Sequence, residues 1–284
     1  YGLAMLDLST GDFWMEDTTD PDVLLDDLAR HSPPEVILPE SLHEDEAFLA
    51  NLRATGAFIL TAREDWIFDP ATAEDGLCRH LGVQSLDGFG GTGHPAATAA
   101  AGALLYYVTR DLRRPASHIR SIRLRTAADA MMLDESTLAN LELIASRGTP
   151  RTDAPTTLLK ALDTTRTAMG SRLLRDWLVR PLQNLAAIVA RHDAVTALLE
   201  KRHELEEFRK ILGNIKDLER LLARLASGSG NGRDVRALAL SLAKLPALQA
   251  ALAPHTTGRL AELNRAIVPQ DDLVALIQRA LVDE

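Results

Sequence analysis

The hydrophobic pattern changes its period a little before the midpoint of the chain, and that change limits the possible folds more than any motif does. Upstream, short apolar runs alternate with helical segments. GLAMLDLS and FWMEDT flank Thr10-Gly11, the pattern of a β-hairpin. Pro21 stands in the first turn of a helix whose Val23, Leu24, Leu25 and Leu28 gather on one side. Pro33-Pro34 stops it, and EVILPE at 35–40 reads as a buried strand. A helix over 43–54 and a strand, AFILTARE at 57–64, repeat the alternation. The order β-β-α-β-α-β, followed by helices, describes a mixed-sheet α/β domain. From about residue 128 strands nearly vanish. Leu185, Ile188, Val189, Val195, Leu198 and Leu199 fall on one helical face, and Leu273, Leu276, Ile277 and Leu281 on another, so the second half reads as all-α.

Charge divides the chain near the same place. Residues 1–115 hold 20 acidic and 7 basic side chains, a net of −13, whereas 116–284 hold 20 and 24, a net of +4. We therefore expect one domain over 1–116 and a helical one over 117–284, each long enough for an ordinary core. The overall charge of −9 opposes binding to nucleic acid or an anionic membrane through bulk charge. A lone cysteine, Cys78, excludes an intramolecular disulfide and a cysteine-based zinc site, and agrees with a cytoplasmic setting. The longest apolar-looking stretch, 95–108, is too short to cross a bilayer, and no membrane is expected. The chain opens on Tyr1 without a charged-then-apolar leader, which reads as a piece of a longer protein. Within the helical half, 145–155 reads as an exposed connection. GSGNG at 228–232 ends the helix bearing Leu218, Leu221, Leu222 and Leu225, and Arg233-Asp234 open the next.

Chemistry-bearing patterns are sparse. Gly88-Phe89-Gly90-Gly91-Thr92-Gly93 is a formal G-x-G-x-x-G, but VQSLD before it is a poor strand. Pro95 also places the helix start beyond the glycines, so a flexible connection is expected. No lysine follows a glycine, so no P-loop exists. Asp7, with Glu40 and Glu64 at strand ends, offers the carboxylates of a two-metal centre, yet Asp7 also precedes Ser9-Thr10-Gly11, where it supports a turn. The histidines show no metal-ligand spacing, and Cys78 reads as a buried small hydrophobe. LLKALDTTRTAMGSRLLRDWLVRPL at 158–182 carries an apolar stripe of Leu173, Leu174, Trp177 and Leu178. Its Arg172, Arg175 and Arg180 face either acids or phosphates. Ile119, Ile122 and Leu124 alternate with Arg120, Arg123 and Arg125, as in a short basic strand bridging the halves.

Four blocks occur in order. Asp7-Leu8-Ser9-Thr10-Gly11-x-Phe13 is followed by Leu133-Asp134-x-x-Thr137-x-x-Asn140-Leu141-Glu142-Leu143. Leu162-Asp163 then precedes Thr167-Ala168-Met169-Gly170-Ser171-Arg172-Leu173-Leu174 and Trp177-Leu178-x-Arg180-Pro181-Leu182. Last come Asp217-Leu218-Glu219-Arg220-x-x-Ala223-Arg224 and Arg233-Asp234-x-x-x-Leu238. Together they resemble the bacterial MutS family of DNA mismatch-repair sensors. The resemblance implies a ribonuclease-H-like connector followed by the first part of the helical core and lever domain, ending near the clamp insertion. It implies a longer protein that binds mismatched double-stranded DNA as a homodimeric clamp, uses ATP and magnesium through a P-loop domain and recruits MutL. The family's mismatch-reading Phe-x-Glu does not occur here. For these residues the resemblance implies mechanical coupling without catalysis, no cofactor and no metal. It points to the surface around Glu74, Asp75, Gly76 and Leu77 as the MutL contact. A ribonuclease-H-like nuclease with a helical appendage, and a MutS paralogue acting on recombination intermediates, are the alternatives.

Overall fold

The structure, a computed structural model, describes residues 1–126, 130–145 and 157–281. The chain forms two compact units, Tyr1–Ala127 with Met132–Asp153, and Ala128–Met131 with Ala154–Glu284. The connection expected at 145–155 lies, from residue 146 on, outside the described residues.

In the first unit, β1 (Gly2–Asp7) and β2 (Asp12–Asp17) form the expected antiparallel hairpin, with Asp7 opposite Asp12. Gly11 closes its turn at φ 77°, where a side chain would be strained, and its N–H donates to the Asp7 carbonyl at 2.7 Å. The first helix, α1 (Pro21–His31), is capped by Asp20 and buries Leu24 and Leu28. It ends on Ser32 in the left-handed region, one residue before the two prolines. Next come β3 (Glu35–Pro39), α2 (Glu40–His43), α3 (Glu46–Thr55) and β4 (Ile59–Arg63), which pairs parallel to β3. The helix expected over 43–54 is thus two helices, and Glu40 begins α2 instead of ending a strand. A 3₁₀ turn at Asp65–Phe68 leads to α4 (Pro70–Leu81) and α5 (Pro95–Tyr106). The short β5 (Arg123–Leu124) then pairs parallel to β2, and α6 (Glu135–Asn140) completes the described elements of this unit.

The single mixed sheet expected from the element order is divided in two among the described residues, β1-β2-β5 and β3-β4. Prolines bracket β3: Pro34 precedes it and Pro39 ends it, and neither has an N–H to donate to a neighbouring ladder. An apolar cleft of about 680 Å³ is lined by Leu3 and Met5 of β1 and by Val36 and Leu38 of β3. Of β3, expected to be buried, Leu38 alone is fully so. Two cores hold the unit together. One gathers Phe13, Met15, Leu77, Leu86, Ile119 and Ile122, and the other Leu24, Leu28, Leu38, Leu49 and Leu52. Gly102 lets α5 approach α4 closely, since a Cβ there would stand 2.4 Å from that of Ala73. The alternating Ile119–Arg125 segment belongs to this unit: its isoleucines are core, and the Arg125 guanidinium lies 3.9 Å over the Trp14 ring.

The second unit is helical, as expected. It comprises α7 (Leu158–Leu162), α8 (Ala168–Val179), α9 (Leu185–Glu200), α10 (Arg202–Gly213) and α11 (Leu218–Ala226). After Asn231, whose side chain and that of Asp234 form a reciprocal capping box, follow α12 (Gly232–Leu242), α13 (Leu245–Leu252), α14 (Gly258–Ala266) and α15 (Asp271–Ala280). The buried positions differ in part from those expected. Val179, not Leu173 or Trp177, is the buried residue of α8; on α15 Ile277 is buried as expected, but its buried companion is Val274, not Leu273 or Leu276. On α9, Leu185, Val189, Val195 and Leu199 are exposed. A 21-residue stretch, Gly232–Leu252, is longer than the apolar run noted at 95–108 and by length and composition would cross a bilayer. It is broken at Ala243-Lys244, where α12, packed on α11 and α15, gives way to α13, packed on α10 and α14.

Candidate functional site

The expected partner surface lies on α4. Asp69 caps this helix by accepting the Thr72 N–H at 2.9 Å, Pro70 fixes its first turn, and Gly82 ends it in the left-handed region. Glu74 and Asp75 are exposed, and a Cβ added at Gly76 would meet nothing within 4 Å. Leu77 is different: it is fully buried in the first core, so it anchors the helix and offers a partner no surface. Cys78, half-buried beside it, has its thiol pushed up by burial and then by Glu74, Asp75 and Asp87, which disfavours the thiolate. The segment thus presents two carboxylates and a bare stretch of backbone above a rigid apolar base.

The other candidate chemistries are absorbed by local structure. Asp7 accepts the Ser9 N–H at 2.8 Å and supports the hairpin turn. Among the described residues no group of three or more His, Cys, Asp or Glu side chains is arranged to hold a metal. Glycines 90 and 93 adopt positive φ in the connection before α5. The N-terminus of α5, where a dinucleotide phosphate would sit, is taken by Asp17, which accepts the Ala97 N–H and pairs with His94 Nδ1 at 3.0 Å. The glycine-rich connection therefore leads to a helix N-terminus already occupied by a carboxylate.

In the second unit Arg172 of the arginine-rich string resolves toward acids. Thr167 caps α8 by accepting the Gly170 N–H at 3.0 Å. Asp163 accepts hydrogen bonds from Ser171 and Thr165, which together hold its carboxyl below the usual range. Arg172 grips Asp217 through two 2.8 Å bonds and reaches Glu219 at 2.5 Å, while Asp217 also caps α11. Two sequence blocks 45 residues apart are thereby joined through a single guanidinium. Trp177 carries the Arg191 guanidinium at 3.8 Å.

Two clusters were not legible in the sequence. Asp27 and Arg30 form a buried pair on α1, and Arg30 Nη2 donates to the Leu133 carbonyl at 2.8 Å, which ties the start of α6 to α1. A polar cleft of about 360 Å³ at the carboxyl ends of β3 and β4 is lined by Glu40, Arg63, Glu64, Trp66, Tyr106 and Asp111. The adjacent acids of EDWIF and the YY pair were the visible signals, but nothing in the spacing brings them together.

The family model for MutS domain II matches residues 1–120, and that for MutS domain III matches 136–284, so the second match begins inside α6. Relatives called DNA mismatch repair protein MutS align with the whole chain. That of Protochlamydia amoebophila is 37% identical over 287 positions, with 33% of its own length covered. That of Symbiobacterium thermophilum is 38% identical over 293 positions, with 32% covered. That of Anaeromyxobacter sp. strain K is 41% identical over 283 positions, with 31% covered. The chain spans about a third of the length of these relatives. With both domain models matched in order over nearly all of its residues, the chain belongs to the MutS family and carries its domains II and III.

Proposed function

We propose that this chain is the coupling section of a MutS mismatch-repair sensor. Domain II, the connector, receives a MutL-type partner, and domain III, the core and lever, carries conformational strain between DNA-contacting and ATP-hydrolysing parts of a longer homodimeric protein acting in the cytoplasm. ATP and magnesium would act elsewhere in that protein, and these residues would be non-catalytic. We assign the connector to 1–116 and the core and lever to 117–284, of which Ile119–Leu124 and α6 pack within the first unit. The connector is read as ribonuclease-H-like, a reading supported by the hairpin, the parallel β3–β4 pair and the apolar cleft that β1 and β3 line together. Coupling of this kind requires packed elements whose alternative arrangements both sites bias.

The observation that carries the recruitment reading is the exposed Glu74-Asp75 pair beside Gly76 on a helix anchored by Leu77. In the full-length protein, Glu74→Lys with Asp75→Lys is expected to lower the affinity for MutL by about tenfold or more, as for charge reversal within an interface. Mismatch binding and ATP turnover should be unchanged. Recruitment that survives the double reversal at physiological salt would exclude this surface.

A further inference from the structure

The polar cleft beyond β3 and β4 shares no residue with the Glu74–Leu77 surface and is framed on every side by satisfied polar groups. Asp65 accepts both the N–H and the hydroxyl of Ser41 at 3.1 Å, fixing the 3₁₀ turn to α2. Arg63 Nε donates to Asp111 at 2.6 Å, and its guanidinium lies 4.9 Å from the Tyr107 ring centre. Glu35 accepts from Tyr107 and Thr61, each at 2.6 Å. Arg63 is therefore neutralised in place and does not repel a cation. Two carboxylates on the rim, Glu40 and Glu64, form no ion pair among the described residues. The wall between them is aromatic. Trp66 stands 53% exposed and meets Tyr106 edge to face, with ring centres 5.4 Å apart.

A net negative rim over an open indole matches a cationic side chain, which gains from the carboxylates and the ring face at once, Glu64 acting also on Arg63. The absence of a metal-holding group of three or more His, Cys, Asp or Glu among the described residues disfavours an inorganic cation. Exposed Trp and Tyr are the residues most often found as anchors at protein interfaces, and the −13 half surrounding the cleft favours encounter with a basic surface. We propose that this cleft is a docking site for an arginine- or lysine-bearing segment of a protein partner, whose basic side chain lies on Trp66 between Glu40 and Glu64.

The test uses the 284-residue chain, uniformly ¹⁵N-labelled, with the Trp66 indole resonance assigned through Trp66→Phe. A blocked tetra-arginine peptide is the probe. It is expected to shift the Trp66 indole saturably and leave the Trp14 indole unmoved, and Glu40→Gln with Glu64→Gln is expected to weaken binding about tenfold. Both glutamates are exposed, so the variant should keep the parent's thermal midpoint, and a lowered midpoint would overturn the view that they are free for a ligand. No shift at millimolar peptide, or equal affinity for parent and double variant, would overturn the site. An equal response to spermidine at the same total charge would overturn its assignment to a protein segment.

Discussion

The two units use apolar residues in opposite ways. In the first, Phe13, Met15, Leu52, Leu77, Leu86, Ile119 and Ile122 are all almost completely enclosed, and strands, hairpin and helices close around them. In the second, Val179, Ala239 and Ser241 are the described side chains enclosed to that degree, while Leu185, Val195, Leu222, Leu240 and Leu276 stand half exposed or more. Its fixed points are polar: the caps at Thr167, Asp217 and Asn231, and the Arg172 grip on Asp217. The contrast teaches that similar leucine-rich patterns mean different things. Alternation with strands produces closed cores, whereas the helical stripes here bury scattered positions such as Leu221, Leu252 and Val274, add caps and charge pairs, and leave other apolar positions open.

The sharpest way to break this comparison is to remove one charge of a buried pair in the closed unit. Asp27 and Arg30 are 3% and 2% exposed, and α6 hangs on the second through the Leu133 carbonyl. Arg30→Met removes one partner of a buried pair and should cost about 3–5 kcal/mol, whereas Asp27→Leu with Arg30→Met should recover most of that loss. Amides of α6 should exchange faster in both variants, because neither retains the donor to Leu133. Unaltered exchange in α6 would show that the segment is held by other contacts.

Truncating apolar side chains gives the next largest effect and tests the contrast directly. Leu77→Ala, in the first core, should cost about 2–5 kcal/mol, read as a lower urea midpoint at unchanged slope. Leu185→Ala, 73% exposed on α9, should stay within about 0.5 kcal/mol of the parent. Equal losses would mean that the open helical stripes contribute as much as the closed core.

Much of the architecture was legible because it is written locally. Thr10-Gly11 marks the hairpin turn, Pro21 and Pro95 mark helix starts, GSGNG marks the break before α12, and each feature acts within a few residues. What was lost depends on contacts across the chain. A hydrophobic period tells that a helix has an apolar face but not which neighbour covers it, so the face through Leu273, Leu276 and Ile277 is right at Ile277 but misses Val274. The division into two sheets turns on whether β1 and β3 pair, which no local pattern encodes. For the partner surface, the family resemblance points to Glu74, Asp75, Gly76 and Leu77 as one run, but the spacing of Leu77 from Ala73 and Leu81 puts it on the core side. Arg172 is ambiguous in the sequence because its acids lie 45 residues away, at Asp217, and nearby at Glu219.

That tie gives the smallest effect and the one most specific to the second unit. Arg172, 29% exposed, holds the Asp217 carboxyl below the usual aspartate range through its hydrogen bonds, helped by the Arg220 N–H and by both positive charges. A carboxylate depressed in the folded state contributes stability that is complete above its unfolded value, about pH 4, and that is lost as pH falls through the folded value. Partial exposure screens the pair, so Arg172→Ala should cost about 1–2 kcal/mol at neutral pH. The same variant should flatten the acid limb of the stability profile, because Asp217 then titrates closer to its unfolded value while keeping the Arg220 N–H. Urea midpoints for parent and variant, measured from neutral pH down through the aspartate range, should therefore converge as pH falls. Parallel profiles would mean that the ion pair adds nothing to the second unit and that its helices rest on packing after all.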